Sequence, residues 1–320
     1  MSDTAPRDWR IFKGDGSVHE PELGPAPPWR RFDDGQEKRN VDFAIKKLQA
    51  DLVSAALHLR RPLLIEGKPG VGKSTLIHAV ARELQLGQVL VWPINTRTTL
   101  ESGLYRYDAI GRLQDANLRS AMGNREPETA ADIGRYVRLG PLGTAFLPAD
   151  RPRALLIDEI DKSDIDLPND LLHIFEEGEF EIPVLSRVAD TYGKVPVRTH
   201  DRGVTVEIIE GWVRAREFPF IVMTSNGERD FPPPFLRRCI RLVLEEPGED
   251  DLAKIINGYL PGKAAEATDL IREFLRQAQG NVLATDQLLN AVFLATSLYI
   301  DLQAPTLQAL RDKLFQSLRA

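Results

Sequence analysis

Leu63-Leu64-Ile65-Glu66-Gly67-Lys68-Pro69-Gly70-Val71-Gly72-Lys73-Ser74-Thr75-Leu76-Ile77 is the stretch that decides the fold. Its first three residues form an apolar run of strand type, and Leu76, Ile77, Val80 and Ala81 recur behind it at helical spacing. Between the two, Gly67, Gly72, Lys73 and Ser74 satisfy the pattern G-x-x-x-x-G-K-[ST]. Glycines let the backbone curl until its N–H groups and the helix N-terminus face phosphate oxygens. The candidate nucleotide-binding residues are therefore Gly67, Pro69, Gly70, Val71, Gly72, Lys73, Ser74 and Thr75. Lys73 is expected to meet the β- and γ-phosphates, the Ser74 hydroxyl to bind Mg²⁺, and Thr75 to add a phosphate contact.

Downstream, Ala154-Leu155-Leu156-Ile157-Asp158-Glu159 is an apolar strand that ends in two carboxylates, where strands of open α/β sheets meet their ligands. Asp158 is the candidate to share Mg²⁺ with Ser74. Glu159 is the candidate base that polarises the attacking water. Short apolar runs at Leu63 to Glu66, Val89 to Pro93, Ala154 to Asp158 and Phe218 to Ser225 alternate with longer helical patterns. That alternation predicts an α/β fold, a P-loop NTPase αβα sandwich built on a parallel sheet.

After Pro247-Gly248 the strand signals end, and Asp250 to Gly258, Glu266 to Gln279 and Thr285 to Ile300 read as helices of a C-terminal all-helical lid domain. At the other end, residues 1–40 are rich in proline and glycine and read as an extended arm. A helix is expected behind Asn40 as N-cap, with Val41, Ile45, Leu48, Leu52, Ala55 and Leu59 on one face, ending before Pro62. The expected division is thus 1–40 arm, 41–246 core and 247–320 lid.

Composition narrows the function classes. With 320 residues, 42% hydrophobic and 28% charged, the chain can bury one large or two smaller cores. The net charge of -6 supplies no global field for nucleic acid or an anionic membrane. Cys239, the single cysteine, sits beside Leu236 and Ile240 and reads as a buried thiol. The five histidines never take metal-ligand spacing. Met1 to Arg10 lacks the apolar core of a signal peptide, and Leu288 to Ile300 is too short and too polar to span a bilayer. A cytoplasmic protein is the expectation.

With the loop and the carboxylates in place, the chain resembles the AAA+ superfamily and, within it, the MoxR-type ATPases of the helix-2-insert clade. The likeness runs from Val41 to the C-terminus. It rests on Gly67 to Thr75, on Leu155 to Asp161, and on Ser102-Gly103-Leu104-Tyr105-Arg106-Tyr107-Asp108-Ala109-Ile110-Gly111 and Asp166-Leu167-Pro168-Asn169-Asp170-Leu171-Leu172. The resemblance implies ATP and Mg²⁺ as ligands, a homo-oligomeric ring, most commonly a hexamer, and a protein client, with a von Willebrand factor A-type adaptor as a further partner. It implies that Asn226 is the polar sensor near the γ-phosphate, that Arg238 first and Arg237 second supply the arginine finger, and that Asn95 restrains Glu159. It places a pore-facing loop at Ser102 to Gly111, with Tyr105, Arg106 and Tyr107 as its grip. The helix-2 insertion is expected at about 182–214, where Val195, Val197, then Asp201-Arg202-Gly203, then Val204, Val206 and Ile208 read as a β-hairpin.

One position departs from the family. Ala284-Thr285-Asp286-Gln287 stands where many AAA+ proteins carry a second sensor arginine, and a carboxylate there repels a γ-phosphate. That departure keeps open a nucleotide-gated scaffold that hydrolyses slowly. A nucleic-acid track along Arg97, Arg106, Arg112 and Arg119 is opposed by the acidic balance. GTP is disfavoured because the Asn-Lys-x-Asp guanine signature is absent, and its nearest echo, Asp161-Lys162-Ser163-Asp164, lies in the turn after Glu159.

Overall fold

The computed structural model describes residues 10–12, 14–16, 18–20, 24–31, 45–123, 129–279, 281, 283–298, 300, 302 and 307–317. Two compact units divide them. One comprises Lys46–Glu66 and Val80–Val243; the other comprises Gly67–Ala79, Leu244–Ala320 and the described residues up to Ile45. In chain order the elements are α1 (Lys47–Leu59), β1 (Leu63–Glu66), α2 (Lys73–Glu83), β2 (Leu90–Pro93), α3 (Leu100–Leu104), β3 (Tyr105–Tyr107), α4 (Ala109–Ala121), α5 (Ala130–Gly134), β4 (Val137–Leu139) and α6 (Pro141–Ala145). They continue with β5 (Ala154–Asp158), α7 (Leu167–Glu177), β6 (Glu179–Glu181), α8 (Pro183–Ser186), β7 (Lys194–Arg198), β8 (Thr205–Ile209), β9 (Trp212–Arg214), β10 (Phe220–Ser225), α9 (Pro233–Leu236) and β11 (Ile240–Val243). Among the described residues four helices follow: α10 (Glu249–Tyr259), α11 (Thr268–Ala278), α12 (Thr285–Ser297) and α13 (Gln308–Leu314).

The first sheet has the order β11-β1-β10-β5-β2, and every pairing in it is parallel. Its central strands are apolar up to their C-terminal ends, as strands of a parallel sheet covered on both faces must be. Phe220 to Ser225 is buried at every position, and Ala154 to Ile157 likewise. Register puts Glu66 beside Ser225 and Asp158 beside Pro93, so the C-terminal ends of β1, β10, β5 and β2 share one edge. The α/β fold with a parallel sheet is as expected. The fifth strand, β11, was not expected: it lies at the border of the sheet, alternates in burial, and its Arg241 pairs with Glu66 at 2.8 Å.

A second sheet of order β3-β4-β7-β8-β9-β6 is antiparallel except between β4 and β7. It contains the expected hairpin: Val197 opposes Val206, and Val195 opposes Ile208. Gly203 takes the left-handed conformation that the tip requires, and Arg153 grips the Asp201 carboxylate at 3.0 and 3.3 Å. Leu64, Leu155, Ile157 and Ile221 of the first sheet join Val137, Val195, Val197 and Ile208 of the second in one buried cluster.

Two expectations are corrected. The first concerns the opening helix, whose expected cap Asn40 and first residues from Val41 lie outside the described residues; Ile45 and Lys46 are not helical. Lys46 is extended and serves as N-cap, with the Gln49 side chain accepting from its N–H at 3.0 Å, so α1 starts at Lys47. The second concerns Ser102 to Gly111, which is not a projecting loop. It folds as the end of α3, the edge strand β3 and the start of α4, capped by Asp108 through the Gly111 N–H at 2.8 Å. Tyr105 and Tyr107 pack on the core cluster, and Arg106 alone of the three is exposed. Burial, reinforced by Glu101, pushes the Tyr105 phenol up to about 12.

In the other unit α10 to α13 gather around Leu252, Ile256, Leu270, Phe274, Leu288 and Val292. Trp29, in a 3-10 turn at Pro28–Arg30, inserts its ring between Tyr259 and Phe293, edge-on to both, and its indole N–H donates to Asn290 at 3.2 Å. Trp29 thereby anchors the turn at Pro28–Arg30 to the helices. Among the described residues no helix is long and apolar enough to cross a membrane.

Candidate functional site

The glycine-rich loop leaves the end of β1 and runs into α2, the strand–loop–helix setting that the pattern requires. Its glycines are dictated by close approach. A Cβ at Gly67 would stand 2.8 Å from the Leu244 carbonyl oxygen. At Gly70, which has φ +79°, it would stand 2.8 Å from both Ala284 Cβ and the Thr285 nitrogen. The loop is thus packed at Gly70 against the start of α12, with no room for a side chain at Gly67 or Gly70. Lys73 is 8% exposed, and its ammonium donates to the carbonyls of Gly67 at 2.6 Å and Lys68 at 2.9 Å. A bare backbone cradle with a cation folded into it suits a polyphosphate. Lys68 forms an ion pair with Glu246.

At the shared edge of the parallel sheet, Asp158 and Glu159 are organised by Thr224 of β10. The Thr224 hydroxyl donates to Asp158 Oδ1 at 2.6 Å and accepts from the Glu159 N–H at 2.8 Å. Glu159 sits in the left-handed region, at φ 61° and ψ 50°. For a residue with a side chain this costs about 1–2 kcal/mol and is found where function demands an unusual direction. The turn that follows holds it there, with the Lys162 N–H donating to the Glu159 carbonyl at 2.9 Å.

The Glu159 carboxylate faces two donors: the Lys162 ammonium at 2.8 Å and the Asn226 amide at 3.4 Å. The Glu159 hydrogen bond raises the Lys162 pKa against the opposing effect of burial. Asp161, 3% exposed, accepts from the backbone N–H of Asn226 at 2.9 Å and of Glu228 at 3.1 Å. Asn226, expected as the sensor near the γ-phosphate, is thereby set beside Glu159.

The other expectations meet varied outcomes. Asn95 does not reach Glu159: it is exposed, and its side-chain oxygen closes a local turn onto the Arg97 N–H at 2.9 Å. The position follows β2, an outer strand, and a short Asx turn satisfies the amide there. Arg238 is paired with Glu176 of its own chain. Arg237 is exposed, and its guanidinium has no partner among the described residues. Asp286 is exposed in the first turn of α12, where a carboxylate complements the helix dipole. Cys239 is buried, and desolvation pushes its thiol up to about 12.

Reasoning from the sequence missed Thr224, Asp161 and Lys162. Thr224 left one signal, a hydroxyl inside an otherwise apolar strand. Asp161 and Lys162 left charges directly after a strand end, which is also the pattern of an ordinary solvated turn.

The family model of the AAA domain, dynein-related subfamily, matches residues 62–239, more than half of the chain, and the chain belongs to that family. It is an AAA+ domain of ATPase type, with the nucleotide-binding character that membership carries. Among solved structures, a candidate ATPase from Cytophaga hutchinsonii ATCC 33406, determined at 2.00 Å, is similar at 13% identity and a TM-score of 0.37. That alignment covers 72% of this chain and 57% of the other, so this chain spans little more than half the length of that protein. No curated protein matches the sequence.

Proposed function

We propose that this chain binds ATP with Mg²⁺ and hydrolyses it as a ring-forming AAA+ ATPase that remodels protein partners, in the manner of the MoxR-type proteins its sequence resembles. The observation that carries the reading is the Thr224 hydroxyl bonded at once to Asp158 and to the backbone of Glu159, which fixes two carboxylates at one strand end. Gly67, Pro69, Gly70, Val71, Gly72 and Thr75 form the phosphate cradle, and Lys73 leaves the loop carbonyls for phosphate oxygens. Ser74 and Asp158 are the residues that would hold Mg²⁺, which would supply charge neutralisation on the phosphates. Glu159 accepts a proton from water, and Asn226 orients that water.

A guanidinium from a neighbouring copy, Arg237 or Arg238, completes the site, and Arg238 must first leave Glu176 to serve. In this reading residues 41–246 are the nucleotide-binding core and 247–320 the lid. Protein clients, and an adaptor of the von Willebrand factor A type, are the partners proposed.

A second reading, a nucleotide-gated scaffold with slow hydrolysis, draws support from the carboxylate of Asp286 standing exposed where a basic sensor would be. Phosphate release per subunit, measured with Mg²⁺ and ATP as protein concentration rises, separates the two. A rate that climbs and then levels is expected for sites completed between neighbours. ATP-dependent assembly without release favours the scaffold, and a per-subunit rate that is constant from the lowest concentration rejects a shared site.

A further inference from the structure

Asp161 is buried, yet only one of its carboxylate oxygens is used. Oδ2 accepts the N–H groups of Asn226 and Glu228, while Oδ1 is buried with no hydrogen-bond partner. A half-satisfied buried carboxylate is costly for the fold, so its presence at this position calls for a reason beyond packing. What the carboxylate secures is the path of the chain beyond β10. Two backbone donors that would otherwise be orphaned are fixed to the turn after β5, and the Arg229 guanidinium adds a third tie to the Ser163 carbonyl at 2.6 Å.

Gly227, at φ 75°, lets the chain turn between the two bonded N–H groups. The consequence falls on Asn226. Its backbone is held by Asp161 while its side chain reaches Glu159 at 3.4 Å, so the direction of that amide is set by a residue two positions beyond the base.

We propose that Asp161 is a positioning residue for hydrolysis: it sets Asn226 against Glu159 through the backbone and does not itself touch nucleotide. The inference rests on the ATPase reading given above. Asp161→Ala removes the acceptor and is expected to lower kcat by about tenfold or more, the usual effect of losing a supporting partner, with KM for ATP little changed. Asp161→Asn, which keeps one carbonyl acceptor, is expected to recover part of that loss, and it serves as the working variant should the alanine protein fold poorly.

The decisive comparison is a double-mutant cycle. In an Asn226→Ala background, Asp161→Asn should cost no further kcat, whereas its effect on melting temperature should persist. Losses in kcat that simply multiply, or an Asp161→Ala protein with parental kcat, overturn the inference. Amide exchange over residues 225–229 without nucleotide keeps the test independent of the ATPase reading. Asp161→Asn should speed exchange there, and unchanged protection would overturn the inference even in a protein that hydrolyses ATP. A parental protein that releases no phosphate would fail the ATPase reading alone, and the exchange result would still decide whether Asp161 holds Asn226.

Discussion

The two sheets of the larger unit are built by opposite rules. In the five-stranded sheet all neighbours are parallel, and the inner strands are apolar at nearly every position. In the six-stranded sheet most neighbours are antiparallel, several strands have three residues, and exposed and buried positions alternate, as in Thr205 to Ile209. Parallel strands require long crossovers, which carry all their C-terminal ends to one edge and leave the loops there free to differ. That edge holds Thr224, Asp158, Glu159 and Asn226. The antiparallel sheet has no common edge, and its charged pairs are scattered and exposed, as between Lys194 and Glu207. One sheet concentrates polar groups and the other disperses them.

The contrast can be broken most forcefully at two lysines. Lys73 is 8% exposed and held by loop carbonyls, whereas the side chain of Lys194 is 62% exposed. Lys73→Ala is expected to weaken ATP binding by a hundredfold or more, about 3 kcal/mol, while Lys194→Ala leaves it unchanged; titration calorimetry checks both. Affinity within a few-fold of the parent in Lys73→Ala would dissociate the loop from nucleotide.

Two isoleucines sharpen the comparison next. Ile221, fully buried in β10, should lose about 2–5 kcal/mol on truncation to alanine, and Ile209, 57% exposed in β8, less than about 0.5 kcal/mol, as read by denaturant unfolding. Equal losses would mean that Ile209 is held as firmly as Ile221 despite its exposure. A smaller effect is expected at the hairpin tip. Asp201→Ala removes a paired carboxylate from a partly exposed site beside Arg153 and should cost about 1 kcal/mol. The smallest effect is at Cys239, whose thiol, raised to about 12, is scarcely ionised at pH 8. Alkylation of the native protein should be negligible there and become rapid once urea unfolds it.

The same physical difference governs what the sequence makes legible. Strands buried on both faces must be apolar runs, so Leu63 to Glu66, Ala154 to Asp158 and Phe220 to Ser225 stand out. β11 escapes because, as a border strand, it carries Arg241 and an exposed Val243. β3, β4, β6 and β9 escape because three residues are too few to establish a period of two. The hairpin of β7 and β8 is visible through its alternation and its Asp-Arg-Gly tip.

Of the candidate site, the residues that carry a spacing pattern were legible, and Glu159 and Asn226 do come together. Thr224 and Asp161 were not, since their contacts cross between the ends of β5 and β10 and depend on a register that no local pattern encodes, and Lys162 was not, since its short-range pairing with Glu159 looks like an ordinary solvated turn. Asn95 shows the converse error: a polar residue after a strand end was given a distant partner, and it instead closes the turn it belongs to.

The central claim is that the edge of the parallel sheet is a hydrolytic site with Glu159 as its base. Glu159→Gln measured side by side with the parent, for ATP affinity and for phosphate release in the presence of Mg²⁺, tests it most directly. The expected result is affinity within a few-fold of the parent and release slowed by about 10²–10⁴-fold. Release at the parental rate would contradict the claim and move the base elsewhere.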